Sequence, residues 1–465
     1  MTACAEDTSN PAWMRPRTRF IFILLMCLHI VLCCLSLAFV ANFYPHYKVI
    51  WFERSALPAA VLAVALFSFV ALLFVRSRFS FGYVLGFYFY TMIVGYLWLA
   101  PFSRFQYNHA LTMVSAFVSA VAFLVPALFI TAPIRSRLVL SRQAFETVLS
   151  GILILAAAVI ASGAYHNFRL ISVADIYHFR AQLEFPGWLR YALAVTSNAL
   201  LPFAFACFVA QARLWRAALV MLCLLLFYPI TLSKLALFAP LWLMFLALLF
   251  RFFEARISVV LSLFLPLLGG IILALIYKYS NLPDELFSYY FATINLRMVA
   301  FPSIAIDVYN DYFSTHSLTH FCQINLLKPF VECPYSEPLS IIMQEAYNVG
   351  NFNASLFATE GVASVGPLLA PLVVLACGLV IALGNRLSSG LPPKFILLSG
   401  GVIPQFFLNV PMTTTLLTGG AAFLFVLWYL TPRAMFDEAG DPLPRPDRRV
   451  SRKRGASPVP PSAHY

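Results

Sequence analysis

Two arginines in polar stretches of an otherwise apolar chain have the clearest chemical promise. Arg297 sits inside INLRMVAFPSIAI, a segment with helical character. A guanidinium held against lipid is costly, so it needs an anionic partner. A phosphate suits it, because the planar fork binds phosphate oxygens bidentately; the alternative is an internal salt bridge to Asp307 or Glu345. Arg180 stands mid-loop in HNFRLISVADIYHFRAQLEFPG, among Arg169, Asp175, Tyr177, His178 and Glu184. The spacing of Asp175, Tyr177 and Arg180 fits a short interfacial helix. Arg190, beside Trp188 at the start of an apolar run, reads as a headgroup anchor.

The second polar stretch, 278–357, opens at Lys278 and ends in Gln344, Glu345, Tyr347, Asn348, Asn351, Asn353, Ser355, Thr359 and Glu360. Amides, phenols and acids with little aliphatic surface match sugar hydroxyls, which need paired donors and acceptors. Glu345 lies in PLSIIMQEAYNVG, whose apolar residues predict a helix resting on apolar surface. That setting would raise its pKa and favour it as a general base. Glu360 opens an apolar span; it is either an acid stabilised by a helix N-terminus or a ligand for sugar. His316 and His320 have the spacing of two metal ligands on one helix face, but STHSLTHF lacks the HExxH glutamate, and no metal is expected. Neither DxD-like pairs in the long loops nor a nucleotide-binding motif appears, so no cofactor is expected. Cys322 and Cys333, with ten residues between them, fit a disulfide if the loop faces an oxidising compartment. The remaining Cys in apolar runs read as packing residues.

These residues need a frame, and the frame is lipid-soluble. The chain of 465 residues is 61% hydrophobic and 11% charged, against about 25% charged in soluble domains. Apolar runs recur near the length that crosses a bilayer as a helix. They predict an all-α, polytopic integral membrane protein with about twelve spans: 20–42, 57–75, 79–102, 108–131, 147–165, 189–211, 216–231, 235–250, 257–277, 361–384, 395–410 and 414–431. Residues 1–19 form a polar N-terminus, 20–432 the membrane domain, and 433–465 a disordered basic tail. The net charge of +12 sits largely at helix ends, where it sets topology, so nucleic acid is not an expected partner. Basic residues concentrate in the termini and in loops after even-numbered spans, which places both termini in the cytoplasm. The two long loops, 166–187 and 278–357, then face outward.

Two enlarged outward loops carrying Arg180 and Arg297, the third and fifth in order, on about a dozen helices: this architecture resembles the Wzy-type polysaccharide (O-antigen) polymerases. The Arg-x10-Gly pattern of some members is not found; eleven residues past Arg169, Arg180 and Arg297 stand Arg180, Tyr191 and Val308. The resemblance implies a metal-independent, GT-C-like glycosyltransferase of the bacterial inner membrane. It would join oligosaccharide repeats carried on undecaprenyl pyrophosphate, alongside a chain-length regulator and a repeat-unit flippase. Arg180, Arg297 and Glu345 would be catalytic. Arg169, Tyr177, Lys278, Tyr347, Asn351, Asn353 and Glu360 would bind substrate. The alternatives are an O-antigen ligase, which shares the donor, and a transporter or flippase of lipid-linked sugars. A flippase should line a central cavity with basic residues, and Lys234, in a tight turn, is the only basic residue read outside the loops and span ends. No repeat of two matched halves, as many transporters show, is evident.

Overall fold

The computed structural model describes residues 16–436 apart from 46, 48, 136–137, 173–175, 177–178, 180–181, 281–283, 325–326, 328 and 351. No strand occurs among the described residues. Eleven helical stretches among them are long and apolar enough to cross a membrane. The chain is an all-α multi-pass membrane protein, with the lipid bilayer as its solvent.

Nine of these stretches match the first nine expected spans: α1 (Thr18–Phe43), α2 (Arg54–Arg76), α3 (Phe81–Phe102), α4 (His109–Phe129), α5 (Arg142–His166), α6 (Gly187–Ala210), α7 (Leu214–Thr231), α8 (Lys234–Phe252) and α9 (Ala255–Tyr279). The bundle is organised around α3, in which every residue from Phe81 to Leu99 is buried. His29 of α1 meets Thr91 of α3 at 2.9 Å, and Leu37 lies beside Gly95. These two helices therefore run parallel, and Phe43 and Phe102 share one end of the bundle, here called the loop end. Tyr165, Trp188 and Tyr279 are exposed there, and Trp215 and Phe252 at the opposite, terminal end, as expected for aromatic belts at two membrane interfaces.

The stretch 278–357 is not a loop. It contains α10 (Phe287–Thr315), a membrane-length helix that the sequence reading missed. Phe287 packs on Phe43 with ring centroids 4.8 Å apart. Further along, the Ser103 hydroxyl donates to Asp307 at 2.8 Å. Both contacts lie at the loop end, so α10 crosses over the bundle rather than through it. Between them it dips inward: Asn295 Nδ2 donates to Ser36 Oγ at 2.8 Å, and Ser303 Oγ donates to the Met92 carbonyl at 2.9 Å. Gly270 permits this approach, since a Cβ there would lie 1.8 Å from Asn295 Oδ1.

After α11 (Leu339–Tyr347) the chain re-enters the bundle. Phe357 reaches Phe89, in the middle of α3, at a centroid distance of 5.1 Å. The π-helical α12 (Phe357–Ala363) starts at that depth and climbs back. Gly366, at φ +76°, breaks the path, and most of α13 (Ser364–Ser388) descends to the terminal end. Gly361 of α12 faces Ala370 and Val374 of α13, which a continuous helix would hold about 13 Å or more away. The pair is a re-entrant hairpin, so the expected span 361–384 begins inside the bundle.

The last two expected spans, 395–410 and 414–431, are each interrupted. The first comprises α14 (Pro393–Gly400) and α15 (Ile403–Asn409); the second, α16 (Met412–Leu417) and α17 (Ala421–Leu430). Pro404 withholds a backbone donor at the first break, and Gly420, at φ +86°, lies at the second. Proline also accounts for two π-helical turns, Thr196–Leu200 and Ala292–Ala300. Pro202 and Pro302 follow them, and neither can donate to the carbonyl four residues back. Such turns are frequent at functional sites.

Candidate functional site

Arg297 lies in the second of those π turns and is exposed, but to the interior of the protein. It lines a cavity of about 850 Å3 that runs from the loop end toward mid-bundle. The π turn shifts the side-chain register of α10 at this position. The guanidinium sits 5.0 Å from the Phe301 ring centroid, a cation–π arrangement that orients the fork.

The second cation in the cavity is Lys234, the first residue of α8. A tight turn delivers it. Leu232 adopts φ +46° and donates its N–H to the Tyr228 carbonyl at 2.9 Å, closing α7. Asn167 Nδ2 holds the same helix end by donating to the carbonyls of Pro229 and Ile230, at 3.1 and 2.8 Å. The isolated lysine of the sequence reading is thus brought onto the same space as Arg297.

Neutral polar groups complete the lining. Asn353 enters from the re-entrant segment, Gln405 and Asn409 from α15, and Thr293 from α10. Gln405 and Asn409 are one helical turn apart, a spacing visible in the sequence that was read only as part of an apolar span. The remaining wall is largely apolar and aromatic, including Phe238, Trp242, Phe245, Leu265, Phe301 and Phe352. Trp242 and Tyr290 are fixed by donating to the carbonyls of Gly401 and Pro266, at 3.0 and 3.1 Å. Leu241 and Leu265 line the cavity and are 54% and 38% exposed, so its wall reaches the outer face of the bundle between α8 and α9. Toward the terminal end the interior is filled: Phe81 packs on Trp428 at 5.1 Å, and Trp428 Nε1 donates to Ser399 Oγ at 2.8 Å.

The other expected site residues are dispersed. Glu360 is buried in α12. Its Oε1 accepts from the backbone N–H and hydroxyl of Thr413, at 3.0 and 3.2 Å, and its Oε2 from Thr359 Oγ1 at 2.6 Å. With those partners it ties the re-entrant hairpin to α16. Glu345 stands on the exposed face of α11, whose buried side presents Leu339 and Met343. The expected amphipathic helix is present, but Glu345 does not line the cavity. Tyr347 donates to Asp311 at 2.6 Å. Lys278 is exposed at the end of α9, with Nζ 5.6 Å from the Tyr279 ring. Arg169 is exposed near Phe179, 5.9 Å from its ring. Arg180, Tyr177 and Asn351 lie outside the described residues.

A salt bridge from Arg297 to Asp307 is ruled out by spacing. Ten residues of one helix hold their backbones about 15 Å apart. Asp307 is instead buried against Ser103 and Tyr107, each donating to one of its oxygens. Burial, with Tyr96 and Asp307 nearby, holds the Tyr107 hydroxyl far above the ordinary phenol range, so it remains a donor. One turn on, Asp311 accepts from Tyr347. This carboxylate–tyrosine cluster clamps α10 to the α3–α4 loop and to α11, and it was not anticipated.

The two histidines do not share a helix face. His316 ends α10, its ring stacked on Tyr312 at 3.9 Å, while His320 lies beyond the helix at φ +46°. No group of three metal-ligating side chains occurs among the described residues. Cys322 and Cys333 form the expected disulfide.

No known protein-family model matches the chain, and neither curated proteins nor solved structures yield a match.

Proposed function

We propose that the protein is a glycosyltransferase that polymerises oligosaccharide repeats carried on undecaprenyl pyrophosphate, working in the cavity at the loop end. One observation carries this reading. Arg297 and Lys234, from separate helices, converge with three amide side chains on one largely apolar cavity within the bundle. An amphiphile with an anionic head, a hydroxyl-rich group and an apolar tail matches all three kinds of lining. The diphosphate would lie between Arg297 and Lys234. The proximal sugar would meet Asn353, Gln405 and Asn409, and the isoprenoid would leave between α8 and α9.

In the transfer, a hydroxyl of one repeat attacks the anomeric carbon of the chain held in the cavity. The new carbon–oxygen bond forms as the bond to the diphosphate breaks, and undecaprenyl pyrophosphate departs with the bonding electrons. The hydroxyl proton passes to water at the loop end. Cations fixed beside the departing diphosphate stabilise charge as it develops. Glu360, saturated by donors, acts as a positioning residue for the hairpin that presents Asn353. The disulfide supports an outward-facing loop end, because such bonds persist in oxidising compartments. The charge distribution likewise favours cytoplasmic termini in a bacterial inner membrane. A ligase that uses the same donor would share this cavity.

A second reading, a flippase for lipid-linked sugars, is favoured by the same two cations lying within the spans. The packed terminal half of the bundle favours one-sided access instead. Reconstitution with lipid-linked repeats separates the readings. The polymerase yields a ladder of products and free undecaprenyl pyrophosphate. Movement of unaltered repeats between leaflets, without a ladder, would overturn it.

A further inference from the structure

Phe330 is 83% exposed, on a loop closed by the Cys322–Cys333 bond. Beside it is a cleft of about 600 Å3, separate from the cavity of Arg297, walled by Gln323, Phe330, Glu332, Tyr335, Ser336 and Glu337. Nothing in the transfer described above uses it. Its frame is stiff. Cys333 of the disulfide lines it, Pro329 and Pro338 border it, and Tyr335 donates to the Ser317 carbonyl at 2.6 Å. Burial pushes the Tyr335 hydroxyl up to about 12, so that donor persists across the physiological range.

The lining has the chemistry of a carbohydrate site. An exposed aromatic ring offers its electron-rich face to the C–H face of a pyranose. Two carboxylates accept from neighbouring hydroxyls, and an amide and a serine hydroxyl both donate and accept. The carboxylates disfavour a phosphate. We propose that this cleft is a second saccharide-binding subsite, which holds the growing glycan away from the reacting end. This rests on the glycosyltransferase reading and extends it. The cleft lies beyond the C-terminus of α10, and Arg297 and Thr315 are separated by about 27 Å of that helix. A glycan held there is several sugars from the bond being made. The subsite therefore retains the product between additions and sets chain length, without affecting the first transfer.

The test uses the full chain in nanodiscs and the soluble oligosaccharide released by mild acid from the host's lipid-linked repeats. Saturation-transfer NMR reads binding, and gel analysis reads product length. The double substitution Phe330→Ala with Glu332→Gln should weaken oligosaccharide binding at least tenfold and shorten the products several-fold, with the rate of the first addition unchanged. Phe330→Trp keeps a ring and should preserve both readouts, with its fluorescence changing on addition of oligosaccharide. Unchanged affinity and product length in the double variant would remove the subsite and leave the polymerase reading intact. Oligosaccharide binding through Phe330 in a protein that makes no polymer would remove the polymerase reading and leave the subsite. Loss of the first addition in a folded double variant would also overturn the proposal.

Discussion

Replacing Arg297 with alanine is the most direct test of the cavity. The side chain lines the cavity and lies over Phe301, so the substitution opens no void in the packed core. What it removes is ligand binding. Hydrogen bonds to charged groups contribute about 1.5–3 kcal/mol each, and a bidentate fork makes two. Lys234 stays in the cavity and can shift toward the vacated charge, which offsets part of the loss. A net cost of about 3 kcal/mol follows, or roughly a hundredfold, since 1.4 kcal/mol is tenfold. Arg297→Lys keeps the charge and loses the fork and the geometry over Phe301, costing about 1.4 kcal/mol, or roughly tenfold. Lys234→Ala should fall between the two. Because each cation can partly compensate for the loss of the other, the double variant should lose more than the sum of the single losses. The assay is purified protein in nanodiscs with lipid-linked repeats, measuring donor Kd and polymer formed per unit time. If Arg297→Ala binds donor and makes polymer within twofold of the unaltered protein, the phosphate role of this residue is refuted.

Asn385 accepts from the Gly82 N–H and donates to the Ala127 carbonyl, both at 2.7 Å; Asn385→Ala unpins α3 from α4 and α13 and should cost about 1–3 kcal/mol, read as a lower thermal midpoint in detergent. Asp307→Leu strands Tyr107 and Ser103 at a buried site and should destabilise by a similar amount, whereas Tyr107→Phe with Ser103→Ala should restore part of the loss; a loss equal to the sum of the separate substitutions would show that the cluster does not act as a unit. Cys322→Ser opens a short loop and should cost about 2–3 kcal/mol of local stability, read as faster proteolysis between 322 and 333. The bond itself should survive alkylation in intact cells, and free thiols there would place the loop end in the cytoplasm. Reporter fusions near Thr315 should read as external, and fusions after Met435 as cytoplasmic.

The amino-acid sequence by itself determines the solvent of this protein and most of its frame. Apolar runs of bilayer length need no distant partner to be read, because a helix satisfies its own backbone wherever it lies in lipid. Nine spans, the amphipathic helix around Glu345 and the Cys322–Cys333 pair were legible for that local reason. The tertiary structure decided the rest. Residues 287–315 carry Asn295, Arg297, Ser303, Asp307 and Asp311, which dilute the hydropathy of the run and give it the composition of a loop. Ser36, Met92, Ser103, Tyr107 and Tyr347 satisfy four of these side chains, and most of those partners are some two hundred residues away in the chain. No local pattern records such pairings. The same holds for the site. Lys234 is a lone lysine at the start of a span until the α7–α8 turn places it in the cavity with Arg297. Asn353 belongs to that cavity because the chain beyond Gly350 folds back into the bundle and Glu360 secures it to Thr413. A cavity is the space left where remote segments fail to close on one another, and only the folded chain determines which side chains border it.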